Sequence, residues 1–155
     1  MIDSSKIRVE NSRVDKLKFL NGYRWTIEKI DVLEDRLARI DDKLYSMRRS
    51  IISDMPKGGK GKDTIDLIGD KEQIKNDIND KLREAYEKKR LIEDAIDSMD
   101  NDRLSVILSL KYLDGMTLDD IADKLHYSNS HMGVLHRQAL DEFVIPKGGE
   151  LNERL

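Results

Sequence analysis

The chain has no cysteine, which excludes a disulfide framework and thiolate metal sites. It has only two prolines, Pro56 and Pro146, each opening the same tetrapeptide, Pro-Lys-Gly-Gly. Aromatic residues make up 5% of it, too few for a thick globular core. No apolar run approaches the roughly 18–20 residues of a membrane span, so no membrane association is expected. The N-terminus lacks the apolar stretch of a secretion signal. These absences lead us to expect a soluble cytoplasmic protein. What is plentiful is charge, at 38% of residues, and with few helix breakers this suits long exposed helices.

The net charge is −3, and it is unevenly placed. Residues 1–100 carry 22 basic and 22 acidic side chains, whereas residues 101–155 carry 6 and 9. The C-terminal third is therefore the acidic part of the chain.

Periodicity predicts an all-α protein. Residues 1–12 are polar and read as a frayed start. From about 13 to 52 one long helix is expected, because Ile30, Leu33, Leu37, Ile40, Leu44, Met47 and Ile51 alternate spacings of three and four. Leu17, Leu20 and Ile27 continue an apolar stripe upstream with a slip in register. Residues 55–63, with Pro56 and three glycines, read as a glycine-rich tip loop. A second long helix is expected from about 64 to 99, with Ile65, Ile68, Ile74, Ile78, Leu82, Ala85, Ile92, Ile96 and Met99 on its stripe. Two helices of this length, each about 55–60 Å, fold most simply as an antiparallel hairpin. A lone hairpin has a thin core, so a partner is expected, most simply a second copy.

Asp100-Asn101 supplies the next cap. A helix over about 102–113 places Leu104, Ile107, Leu108 and Tyr112 on its apolar side and ends at Asp114-Gly115. Residues 117–140 then read as a helix-turn-helix. Thr117 with Asp120 has the form of a capping box. The first helix buries Leu118, Ile121, Ala122 and Leu125. A turn follows at His126-Tyr127, and Ser128 caps a second helix with Met132, Leu135, Ala139 and Phe143 on its apolar face. The domain division expected is a hairpin over 1–100, a helix-turn-helix over 101–145 and a tail over 146–155.

Several enzyme and metal motifs fail on spacing. Gly58-Gly-Lys-Gly-Lys-Asp63 is no phosphate loop, since Pro56 and Asp63 stand where a glycine and a hydroxyl are required. His126, His131 and His136 recur every five residues, a step of about 140°, and do not share a helix face. No metal and no cofactor is expected. The many carboxylates alternate with Lys and Arg, as on a solvated coiled-coil face. No catalytic set stands in a pocket-forming context, and an enzyme is not expected.

From Asp102 to about Leu140 the sequence resembles region four of bacterial sigma factors. The matching phrases are Ser109-Leu-Lys-Tyr-Leu-Asp-Gly115, Thr117-Leu-Asp-Asp-Ile-Ala122, Leu125, Ser128, Met132, Leu135, Ala139 and Leu140. The departures fall on the positions that face DNA: the family's Arg-Glu-Arg is Asn129-Ser-His131 here, and the next Arg-Gln is Gly133-Val134. His126 replaces the usual turn glycine. The resemblance implies double-stranded DNA as partner, with altered sequence preference and weak affinity per module. With Met55-Pro-Lys-Gly-Gly59 and Tyr112-Leu-Asp-Gly-Met-Thr117, most of the chain is similar to the ArpU and RinA type of small phage and mobile-element regulators. That resemblance implies transcriptional control.

The functional expectation is a sequence-specific DNA-binding regulator, dimeric through its hairpin. Ser128, Asn129, Ser130, His131, Val134 and Arg137 would enter the major groove, with Thr117 beside them. Arg48, Arg49, Lys57, Lys60 and Lys62 are candidate phosphate contacts. RNA polymerase is a further candidate partner, from the resemblance alone. The alternatives are a small-terminase-like packaging subunit that recognises viral DNA, and a coiled-coil scaffold or inhibitor whose C-terminal part grips protein.

Overall fold

The computed structural model describes residues 12–52 and 60–148, at 51 and 60–62 the backbone alone. The described residues are all-helical: a long antiparallel helical hairpin followed by a three-helix unit of the helix-turn-helix kind. The helices are α1 (Arg13–Ile52), α2 (Lys60–Asp97), α3 (Asp102–Leu108), α4 (Leu118–Leu125) and α5 (Asn129–Glu142).

Local chemistry sets most of the helix ends. Ser12 and Asp15 form a reciprocal capping box at the start of α1: the Asp15 amide donates to Ser12 Oγ at 3.2 Å and the Ser12 amide to Asp15 Oδ2 at 3.1 Å. The expected frayed start therefore has an ordered last residue, and the rest of it lies outside the described residues. α2 begins at Lys60, so the last residues of the expected tip loop, 60–63, are helical. Most of that loop and residues 149–155 of the expected tail lie outside the described residues. Asn101 caps α3 by accepting from the amides of Arg103 at 3.1 Å and Leu104 at 3.3 Å. α3 then widens into a π-helical turn over Ser109–Leu113, closed by the Asp114 amide on Ser109 O at 3.1 Å. Gly115, at φ +74°, makes the left-handed exit.

The described residues form two compact units, which divide the chain differently from a cut at residue 100. One unit holds residues 12–25 and 86–148, and the other is Thr26–Ala85. A linear cut follows the sequence, whereas compactness follows packing. The first turns of α1 pack with the helix-turn-helix: Phe19 and Leu20 belong to one apolar cluster with Ile92, Ile96, Leu104, Ile107, Leu108, Tyr112, Ile121, Met132, Leu140 and Phe143.

In the Thr26–Ala85 unit, α1 presents its expected seam, with Ile30 buried and Leu33, Leu37, Ile40, Leu44 and Met47 half-buried. The seam of α2 differs from expectation. Ile65, Ile68 and Leu82 are exposed. The inward row is Thr64, Leu67, Lys71, Ile74, Ile78, Lys81 and Ala85, alternating spacings of three and four. Lys71 Nζ meets Asp41 Oδ1 at 2.6 Å, so this seam position is satisfied by an ion pair. A hairpin of two helices buries one narrow stripe on each, and α2 carries two apolar rows. The row containing Ile78 and Ala85 faces α1, and the other is left outside.

Upstream in α1 the slipped stripe of Leu17, Leu20 and Ile27 is buried or half-buried, and an unslipped row runs beside it. Counting back from Ile30 in threes and fours reaches Thr26, Tyr23 and Phe19, of which Thr26 and Phe19 are buried. Leu20 lies one residue off that row and is fully buried among the helix-turn-helix residues instead.

Candidate nucleic-acid interface

α4 starts where Thr117 Oγ1 accepts the Asp120 amide at 3.1 Å. Ile121 and Ala122 are buried, and Leu118 and Leu125 are half-buried against the same core. The helix ends in a Schellman motif. The Tyr127 amide reaches Ala122 O at 2.9 Å, and the His126 amide reaches Asp123 O at 3.4 Å. His126 takes the left-handed conformation, φ 62° and ψ 41°, where glycine is the usual residue. The turn keeps its shape, and the imidazole accepts the backbone that the shape requires.

Ser128 caps α5, with the His131 amide donating to Ser128 Oγ at 3.2 Å. Met132, Leu135, Ala139 and Leu140 face inward, and Phe143 closes the core just beyond the helix. The opposite face is open. Asn129, Ser130, His131, Val134 and Arg137 are all exposed, as is Gln138 one residue on. Arg137 Nε donates to Gly133 O at 3.3 Å, which lays the side chain back along α5 toward its N-terminus. Thr117 is exposed at the start of α4. α5 thus gathers six of the seven expected DNA-contacting residues, counting its cap Ser128, and Thr117 stands on α4.

Two further residues join this face that sequence reasoning missed. The Arg103 guanidinium lies 6.0 Å from the centre of the Tyr127 ring. That ring meets His131 edge-on at 5.2 Å. A cation on α3 is thereby held beside the first turn of α5. The only sequence signal was the basic residue beside the Asn101 cap.

The candidate phosphate contacts belong to the other unit, Thr26–Ala85. Arg48 and Arg49 are exposed near the end of α1, with Arg49 lying 5.9 Å over Tyr45. Lys60 and Lys62 have backbone positions in the first turn of α2, and Lys57 lies outside the described residues.

The inner flank of α5 is tied to the π-helical turn. Tyr112 is buried and its hydroxyl stands 2.8 Å from His136 Nε2. Burial pushes the phenol up to about 12, so it stays protonated and donates. His136 is lowered from its ordinary value, first by burial and then by the nearby positive charges of Lys111 and Arg13. The ring is therefore the neutral acceptor. The unfolded imidazole binds a proton near pH 6.5 and the folded one resists it, so stability is full above 6.5 and is lost as pH falls below it. Between pH 7.5 and 5.5 the thermal midpoint of the natural chain should fall further than that of His136→Gln. Equal falls in melts followed by circular dichroism would remove His136 as the cause.

The start of α1 also changes the charge of this unit. Arg13 pairs with Asp141 at 2.8 Å. Lys16 Nζ donates to Leu140 O at 2.9 Å and Asp141 O at 3.2 Å, satisfying carbonyls at the end of α5. The Arg13 hydrogen bond holds the Asp141 carboxyl below its usual range. Over residues 12–25 there are four cations, Arg13, Lys16, Lys18 and Arg24, against one acid, Asp15. They offset much of the acidity of the C-terminal third.

Residues 44–143 match the model of a family described as a protein of unknown function, DUF1492. The chain belongs to this family. The matched span ends on Phe143, the residue that closes the core behind α5, and so contains the whole helix-turn-helix of this DUF1492 member. It begins after Phe19 and Leu20, which complete that core here. No curated protein and no solved structure matches the chain. Among the described residues no helix is long and apolar enough to cross a membrane, and no cluster of metal-ligating side chains occurs.

Proposed function

We propose that this chain is a sequence-specific DNA-binding transcriptional regulator of the phage or mobile-element kind, reading the major groove with α5. One observation carries the reading: the outer face of α5, from its Ser128 cap through Arg137, is free of the core and bears side chains that hydrogen-bond or touch base edges. Asn129 and Ser130 offer donors and acceptors, Val134 an apolar contact to a thymine methyl, and Arg137 a guanidinium for a guanine. Arg103, propped on Tyr127, supplies a guanidinium to neutralise a phosphate beside the same groove. The partner is a second copy of the chain through the hairpin, for which the exposed Val32, Tyr45, Ile65 and Ile68 supply apolar surface. RNA polymerase contact is a further part of the reading and rests on resemblance to sigma region four.

Selection of bound duplexes from a random pool, followed by binding titrations across a salt series, tests this. Arg137→Ala should cost about 1–3 kcal/mol on the selected site and relax its sequence preference. Arg103→Ala should weaken all duplexes alike and reduce the salt slope by about one. Binding that is absent at low salt, or insensitive to salt, would sink the DNA reading and favour a protein-gripping scaffold. Light scattering separates a dimeric regulator from the larger ring of a packaging subunit.

A further inference from the structure

The outer face of α5 includes a glycine, Gly133, between Ser130 and Arg137. A glycine inside a helix costs about 1 kcal/mol relative to alanine, so its presence asks for a reason. At Gly115 the fold supplies one: φ is +74°, and an added Cβ would stand 2.7 Å from the Arg24 guanidinium. At Gly133 the fold supplies none. Its backbone is ordinary α-helix, and apart from its chain neighbours and the helix's own backbone nothing among the described residues lies within 4 Å of the place a Cβ would take. The bare spot faces outward beside Ser130 and Val134, and Arg137 donates to its carbonyl, laying a cation next to it.

We infer that Gly133 is the point of closest approach between the α5 backbone and its duplex partner, where a methyl group would hold the helix off the groove. This rests on the proposed DNA-binding function and adds to it a depth of insertion. The surroundings fit that partner. Ser130 is short, Arg137 carries the positive charge a duplex attracts, and α5 has a capped N-terminus one turn away whose dipole favours phosphate. A glycine there lets Val134 and Arg137 reach base edges that a bulkier residue at 133 would keep out of range.

The test uses the full chain and the duplex selected with it. Gly133→Ala should raise the thermal midpoint, since the helix gains propensity and the Cβ has room. It should also lower affinity by about tenfold or more, the scale of one mismatched base pair. Gly22→Ala is the control: its Cβ would meet the Lys88 side chain at an ordinary van der Waals distance of 3.7 Å, and it lies in α1, on neither the α5 face nor the surface proposed for the second copy. It should raise the midpoint and leave affinity unchanged. Gly133→Ala binding as tightly as the natural chain overturns this inference and leaves the DNA reading standing. A lowered midpoint overturns it too, since the fold itself would then require the glycine. A natural chain that binds no duplex removes both together.

Discussion

A chain lacking residues 1–25 should fail to keep its helix-turn-helix folded. Phe19 and Leu20 are 8% and 0% exposed, and both sit in the apolar cluster that α3, α4 and α5 share. The Phe19 and Phe143 ring centres lie 5.9 Å apart with the planes tilted by 33°, and Leu17 and Tyr23 pack against the same cluster. Burying each fully buried side chain of this kind stabilises by roughly 1.5–3 kcal/mol. The deletion also strips Lys16 from the last carbonyls of α5 and Arg13 from Asp141. Against a net stability of about 5–15 kcal/mol for a whole domain, such losses are decisive. Hydrogen exchange should show residues 102–142 unprotected in the shortened chain and protected in the full one. Native-like protection without residues 1–25 would mean that the helix-turn-helix is self-sufficient and that α1 merely rests on it.

The second large effect is expected at Phe143. This residue follows the last turn of α5 in an extended conformation, its amide donating to Ala139 O at 3.0 Å, and its ring is fully buried. Phe143→Ala leaves a cavity against Phe19 and should cost about 3–5 kcal/mol. For a unit of this size the thermal midpoint should drop by more than about 10 °C. The neighbouring Val144 is 72% exposed, and Val144→Ala should change stability by no more than about 0.5 kcal/mol. Similar melting curves for the two variants would contradict the burial that separates them.

Much of this fold was legible because it is written in short-range chemistry. The caps at Asn101, Thr117 and Ser128 each join residues two or three apart, and a reader needs only the neighbouring sequence to place them. The inward faces of α3 and α5 follow from spacings of three and four around Leu104, Ile107, Leu108, Met132, Leu135 and Ala139. Among the described residues His126 is the only non-glycine with a positive φ, and there the residue type pointed away from the backbone it adopts. Its neighbours nonetheless marked the turn.

Two features of the candidate interface and its support were hidden for the opposite reason. Arg103 and Tyr127 are 24 residues apart, as are Tyr112 and His136, and periodicity says nothing about such pairs. The acidity counted over residues 101–155 was also misleading by itself. Residues 12–25 and 86–100 join the same unit, whose described residues carry 12 basic and 13 acidic side chains, and a count along the chain cannot see that near balance.

By itself the sequence determined the helices, their caps, the turn before Ser128 and the outward side chains of α5, because each depends on residues within one or two turns. Tertiary structure decided which of two apolar rows on α2 faces inward, that Phe19 and Leu20 complete the core behind α5, and that Arg103 stands over Tyr127. Those outcomes turn on which surfaces meet. An α-helix exposes several faces of comparable apolar content, and only the packed partner chooses among them.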